Sequence, residues 1–170
     1  MKNKWDFLLP KKDRPAFLAI GIMGTLNHFL YEWTGIALVA LFCPINESVW
    51  EHLKLLFFPY LFWSVWKYLC KKTEGSTFFY SHFWAVVCGM TSIVVLFYTY
   101  TGMIGRSFVF IDILIFFVSI VITLRFTRRW ERARKEVPAV QTIYTMWIAL
   151  ILTFFVFTCF PPGIPLFFSP

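Results

Sequence analysis

The chain has 170 residues, 59% hydrophobic and 15% charged, with a mean hydropathy of +0.68. Soluble domains run near half apolar and a quarter charged, so the composition excludes an ordinary soluble domain and implies one membrane domain with little outside the bilayer. The net charge of +7 reads as a topology signal and an attraction to anionic lipid headgroups, so nucleic-acid binding is not expected.

Taken in chain order, five apolar runs stand out, at about residues 16–42, 47–68, 78–104, 108–124 and 140–160. Each is near the roughly 20 residues that a spanning helix needs. The runs are continuous rather than alternating, which points to helices and not barrel strands. The expected fold is therefore all-α, a bundle of five transmembrane helices in a single domain. The first run is too long for a cleavable signal peptide and holds His28 and Glu32.

The basic residues orient the bundle. Lys2, Lys4, Lys11, Lys12 and Arg14 precede the first run, Lys67, Lys71 and Lys72 follow the second, and Arg125, Arg128, Arg129, Arg132, Arg134 and Lys135 follow the fourth. The other ends carry only Arg106, with Lys54 inside the second run. The positive-inside rule places the N-terminus in the cytoplasm and the C-terminus outside. Trp5, Trp63, Trp66, Trp84, Trp130 and Trp147 then form a cytoplasmic aromatic belt. None of the four cysteines forms a C-x-x-C pair. Cys43 and Cys159 fall near the outer ends of their spans, where a bridge is open but two packing thiols are the simpler reading.

Ionisable groups inside these runs mark the candidate site, since a charge in hydrocarbon costs roughly 2.5–3.5 kcal/mol on insertion scales. With the first helix continuing to Leu41, Glu32 and His28 would lie roughly 14 and 20 Å below its outer end. They are four residues apart and share a face; Asn27 and Tyr31 make a second such pair beside them. The second run opens with Asn46, Glu47, Ser48, Glu51, His52 and Lys54. Ser48 to Glu51 reads as a capping box, with Asn46 a competing cap. Glu47, Glu51 and Lys54 fall on one stripe, and Glu32 should come level with Lys54 on the neighbouring helix. Asp112, early in the fourth run, is at a similar depth. The structural readings are helix N-terminal acids for Glu47, Glu51 and Asp112, and a snorkelling side chain for Lys54. His82 reads as an interfacial histidine. Pro59 is a candidate kink.

The blocks N-H-F-L-Y-E-W-T-G at residues 27–35 and P-I-N-E-S-V-W-E-H-L-K-L-L-F-F-P at residues 44–59 resemble an uncharacterised family of small membrane proteins from Gram-positive bacteria. The resemblance covers most of the chain. It implies a plasma-membrane location and supplies no activity.

Three functional classes stay open. The favoured one is binding or transport of a small polar solute or ion, with proton coupling, at Asn27, His28, Glu32, Asn46, Glu47, Glu51, His52, Lys54 and Asp112. Five spans without an inverted repeat would then call for a homo-oligomer or a partner membrane subunit. The second is an intramembrane enzyme on a lipid-linked substrate. It would be either metal-dependent, with a divalent ion on His28, Glu32, Glu51 and His52, or acid–base. The third is a sensor or assembly subunit whose polar groups only lock helices together.

Overall fold

The computed structural model describes residues 8–71, 75–133 and 136–169. Lys2, Lys4, Trp5, Lys72, Arg134 and Lys135 lie outside the described residues. Within them the chain is helical and contains no strand. A 3-10 turn at Lys11–Asp13 leads into α1 (Arg14–Thr34), with Pro15 in its first turn where no amide partner is lost. The short α2 (Ala37–Ala40) and a loop follow. Then come α3 (Val49–Lys71), α4 (Gly75–Ile104), α5 (Val109–Arg132) and α6 (Val140–Cys159), and a tail with a 3-10 turn at Pro165–Phe167.

The first expected span is divided. Gly35 takes the left-handed conformation, φ +61°, and its N–H closes α1 on the Tyr31 carbonyl at 2.8 Å. This is the glycine stop of a helix C-terminus. The chain then leaves the axis of α1 instead of continuing to Leu41. As a result Glu32 sits in the last turn of the helix and not deep beneath its end.

Three helices, α4, α5 and α6, are long and apolar enough to cross a membrane. Their outer faces carry Phe110, Leu114, Ile148, Leu152 and Val156 exposed, an apolar surface of the kind that hydrocarbon or another protein covers. The helices α1 and α3 are as long, but Asn27, His28 and Glu32 on one, and Glu51, Lys54 and Lys67 on the other, dilute their apolar character.

At the centre stands α3. Residues 53–60 are all buried, so every face of the helix is covered, as expected of a helix inside a bundle. It packs on α1, α4 and α5. Phe57 and Phe58 meet Phe154 of α6 at ring-centroid distances of 4.8 and 5.8 Å. Trp50 meets Phe167 of the tail at 4.9 Å. The most extensive pairing of all is between α4 and α5.

Two glycines allow the close crossings. A Cβ on Gly24 would stand 2.6 Å from the Leu55 carbonyl oxygen and 2.6 Å from the Phe116 ring. Leu55 is four residues before Pro59, whose ring nitrogen carries no hydrogen, so this carbonyl has no helical donor. A Cβ on Gly89 would collide with the Thr123 hydroxyl of α5. Near it, Ser92 donates to Ser119 across the same interface at 2.8 Å.

Gly24→Val should therefore lower thermal stability in detergent by the equivalent of about 1–3 kcal/mol, the usual cost of overpacking. Gly102→Ala, whose Cβ would meet nothing within 4 Å, should be neutral or slightly stabilising. Equal melting temperatures for the two variants would contradict the close crossing.

Candidate functional site

The polar residues gather at the two ends of the bundle. One end holds the α1–α3 loop, the α4–α5 turn and the tail; the other is the basic end.

At the loop end the strongest charges are closed on one another. The Lys54 ammonium is 0% exposed and Glu51 is 2% exposed. Lys54 Nζ donates to Glu51 Oε2 at 2.7 Å, to the Ala40 carbonyl at 2.9 Å and to the Cys43 carbonyl at 3.4 Å. Its three protons are thus all used. Glu51 Oε2 also accepts the Ile45 N–H at 3.0 Å, and the Thr158 hydroxyl of α6 lies 3.4 Å from Oε1. The expected capping box forms by halves. Ser48 Oγ accepts the Glu51 N–H at 3.3 Å, whereas the Ser48 N–H goes to Asn46 Oδ1 at 2.9 Å. That leaves the Glu51 carboxylate for Lys54. Burial pushes the Cys43 thiol up from its ordinary range, with the neighbouring Lys54 charge acting the other way. Cys43 and Cys159 are both unbridged.

Lys54 therefore answers to Glu51 and not to Glu32, which is exposed beside Gly35 in the last turn of α1. Asp112 does not join them either. It accepts the Tyr100 hydroxyl, which in turn accepts the Phe108 N–H at 3.1 Å, and so pins the α4–α5 turn. Asn27 is half-buried on α1.

Three other expected residues do converge. His28 of α1, Glu47 of the loop and His52 of α3 bring one donor atom each within 4.8 Å of one another. Glu47 Oε2 lies 3.9 Å from His28 Nε2 and 3.4 Å from His52 Nε2. Glu51 and His52, adjacent in sequence, point apart: one inward to Lys54, the other outward to Glu47. Of the expected metal set, His28 and His52 meet. Glu47 stands where Glu32 or Glu51 was expected.

The basic end holds a site that the sequence reading left out. His82 is 1% exposed and enclosed by side chains of α3, α4 and α5. Its Nε2 faces Glu131 Oε1 at 3.3 Å, and Lys67 Nζ binds the same oxygen at 2.7 Å. Its Nδ1 is 2.7 Å from Ser64 Oγ and 3.0 Å from the Tyr60 hydroxyl, which meets Thr127 Oγ1 at 2.7 Å. A cleft of about 600 Å³ opens beside this network, with Trp63, Trp66 and Phe78 among its walls. A second ion pair, Arg128 to Asp13 at 2.7 Å, lines it too. A signal existed: Ser119, Thr123, Thr127 and Glu131 recur every four residues and make a polar stripe along α5.

Lys54→Met should cost about 3–5 kcal/mol, because it leaves the Glu51 carboxylate buried without its cation. The double variant Lys54→Met/Glu51→Gln should recover part of that loss, and Glu32→Gln should stay within about 0.5 kcal/mol of the parent. Thermal melts of these variants, of Glu51→Gln alone and of the parent in one detergent decide it. Additive losses would dissolve the coupling.

No curated protein and no solved structure matches the chain. The profile of a family of unknown function, DUF6512, matches residues 9–170. The match takes in both polar ends of the bundle and all five long helices, so the chain belongs to the DUF6512 family.

Proposed function

We propose that the chain is a five-span protein of the bacterial plasma membrane, N-terminus cytoplasmic and C-terminus outside, that binds a small zwitterionic solute in the cleft at its basic end. Support for the five spans comes from the apolar exteriors of α4 to α6 and from the polar residues of α1 and α3 lying at their ends or facing inward. Support for the orientation comes from Lys12, Lys67 and Arg128 meeting at one cleft.

One observation carries the solute reading. The cleft is lined by two ion pairs, Lys67–Glu131 and Asp13–Arg128, each joining different segments of the chain. A solute of one sign would strand a half-buried partner charge. A zwitterion exchanges with a pair one for one and strands none. Trp63 and Trp66 in the cleft wall suit its cationic group. Protons enter through Glu131: a cation that takes its Oε1 displaces His82 Nε2 from that oxygen and changes the proton affinity of the ring. Binding and protonation are then linked, and an oligomer or partner subunit would complete a transport path.

The enzyme reading has one observation in its favour, the line Ser64 Oγ–His82 Nδ1 and His82 Nε2–Glu131. Ser64 is fully buried and donates to the Tyr60 carbonyl at 2.7 Å, so it has no access to a substrate. The closed Glu51–Lys54 cluster fits the third class, a structural lock.

A thermal-shift panel tests the solute class with an α-amino acid, its amide-capped cation, its N-acylated anion and a neutral polyol. The zwitterion alone should stabilise the protein, by roughly 2.7 kcal/mol at a hundredfold excess over Kd. Lys67→Met and Glu131→Gln should each abolish the shift. A panel in which no member, or every member, shifts the melt rejects the reading.

Topology is tested separately. In a background whose native cysteines are replaced, an impermeant thiol reagent should label Ser169→Cys in intact cells and Ala133→Cys only after the membrane is opened. The reverse pattern inverts the protein.

A further inference from the structure

We propose that His28, Glu47 and His52 form a binding site for a divalent first-row transition metal, zinc above all, at the loop end of the bundle, separate from the solute cleft.

The argument begins with a proton. His52 Nδ1 lies 2.8 Å from the Ser48 carbonyl oxygen. A carbonyl only accepts, so Nδ1 carries the hydrogen. In the neutral ring the Nε2 lone pair is then bare, and it faces the Glu47 carboxylate oxygen at 3.4 Å. A lone pair aimed at an anion is unfavourable unless something positive sits between them. His28 Nε2 faces the same oxygen from another helix, 3.9 Å away. Two histidines and one carboxylate, from α1, the loop and α3, thus point at one position.

The distances fit an ion. Donors about 2.0–2.1 Å from a tetrahedral metal stand roughly 3.3 Å apart. The His52–Glu47 separation of 3.4 Å is already at that value, the His28–Glu47 separation is 3.9 Å, and all three donors lie within 4.8 Å of one another. The hydrogen bond from Nδ1 to a backbone carbonyl is the outer-shell device that fixes a ligating histidine in its working tautomer. Imidazole with carboxylate selects zinc and its neighbours over calcium and magnesium, which prefer all-oxygen sites. Three protein ligands leave a fourth position for water. The side chains of His28 and His52 are 32% and 27% exposed, and that of Glu47 is 68% exposed, so an ion can enter from solution.

The rival occupant of the same position is a proton on one or both rings. The two predict opposite responses to pH. Metal binding competes with protonation and weakens as pH falls through the histidine range. A purely protonic cluster strengthens there instead.

Tag-free protein, stripped with a chelator, is titrated at pH 7.5 with Zn2+, with Mg2+ and Ca2+ in parallel, and its melting temperature and bound metal are read. One equivalent of zinc should bind and raise the melt, with no effect of magnesium or calcium. Cobalt in place of zinc should give the visible absorption of a four-coordinate site. His28→Ala, His52→Ala and Glu47→Gln should each weaken zinc binding at least tenfold, while Glu32→Gln leaves it unchanged. All five proteins should melt alike without metal, which separates lost ligation from lost folding. Zinc affinity unaltered in the three ligand variants overturns the proposal. So does a parent protein that binds no zinc at pH 7.5. Neither outcome depends on the solute cleft.

Discussion

The Lys54 ammonium is fully buried, and the bundle is arranged around that fact. An isolated charge at such a position is prohibitive, and even a paired one is costly unless every proton finds an acceptor. Glu51 supplies one partner from the same helix. The other two are the carbonyls of Ala40 and Cys43, which can reach inward only because the chain after α1 turns off its axis. The loop is therefore not a passive connector. It is the coordination shell of a buried cation, and Glu51 holds its far side through the Ile45 amide. Further along the same helix, Phe57 and Phe58 pack on Phe154, and Phe57 on Trp147.

Most of the helical framework is legible in the sequence, because long continuous apolar runs leave few alternatives. The five long helices fall on the five runs. The errors cluster where one residue overrides a run. Gly35 breaks the first one, since a left-handed cap outweighs the apolar residues beyond it, and every depth measured from Leu41 shifts with it. Glu32 then moves from mid-helix to a helix end, and Lys54 needs another partner. The Ser48–Glu51 spacing correctly marks a helix start, but Asn46 takes the amide that Glu51 would have satisfied. Asp112, expected at the depth of Lys54, is held by Tyr100 instead; depth alone carries no azimuth. His82 was hidden by its position near a helix start. Its partners come from α3 and α5, far off in sequence, and only the four-residue stripe on α5 hinted at them.

The two ends of the bundle use polar groups differently. At the basic end the charges are shared, with Glu131 Oε1 serving both Lys67 and His82, and they border a cleft. Groups that share an acceptor can trade partners, and that suits a site where a solute comes and goes. At the loop end Lys54 and Glu51 are saturated and sealed, while the histidines and Glu47 at the rim face outward. Sealed and open chemistry sit one residue apart, on Glu51 and His52. Helix geometry turns neighbouring side chains about 100° from each other.

The packing of α6 against α3 bears on how such a chain is assembled. During synthesis α3 emerges with Glu51 and Lys54 before α6 exists. At that stage α1, with its loop, is already present to supply the two carbonyls and the Ile45 amide. Phe154, Phe155 and Thr158 arrive last and close over a pair that is already neutral. On the five-span reading, the buried Glu51–Lys54 pair finds most of its partners within the first two long helices and their loop. The C-terminal helix completes the cover, with the Thr158 hydroxyl 3.4 Å from Glu51 Oε1.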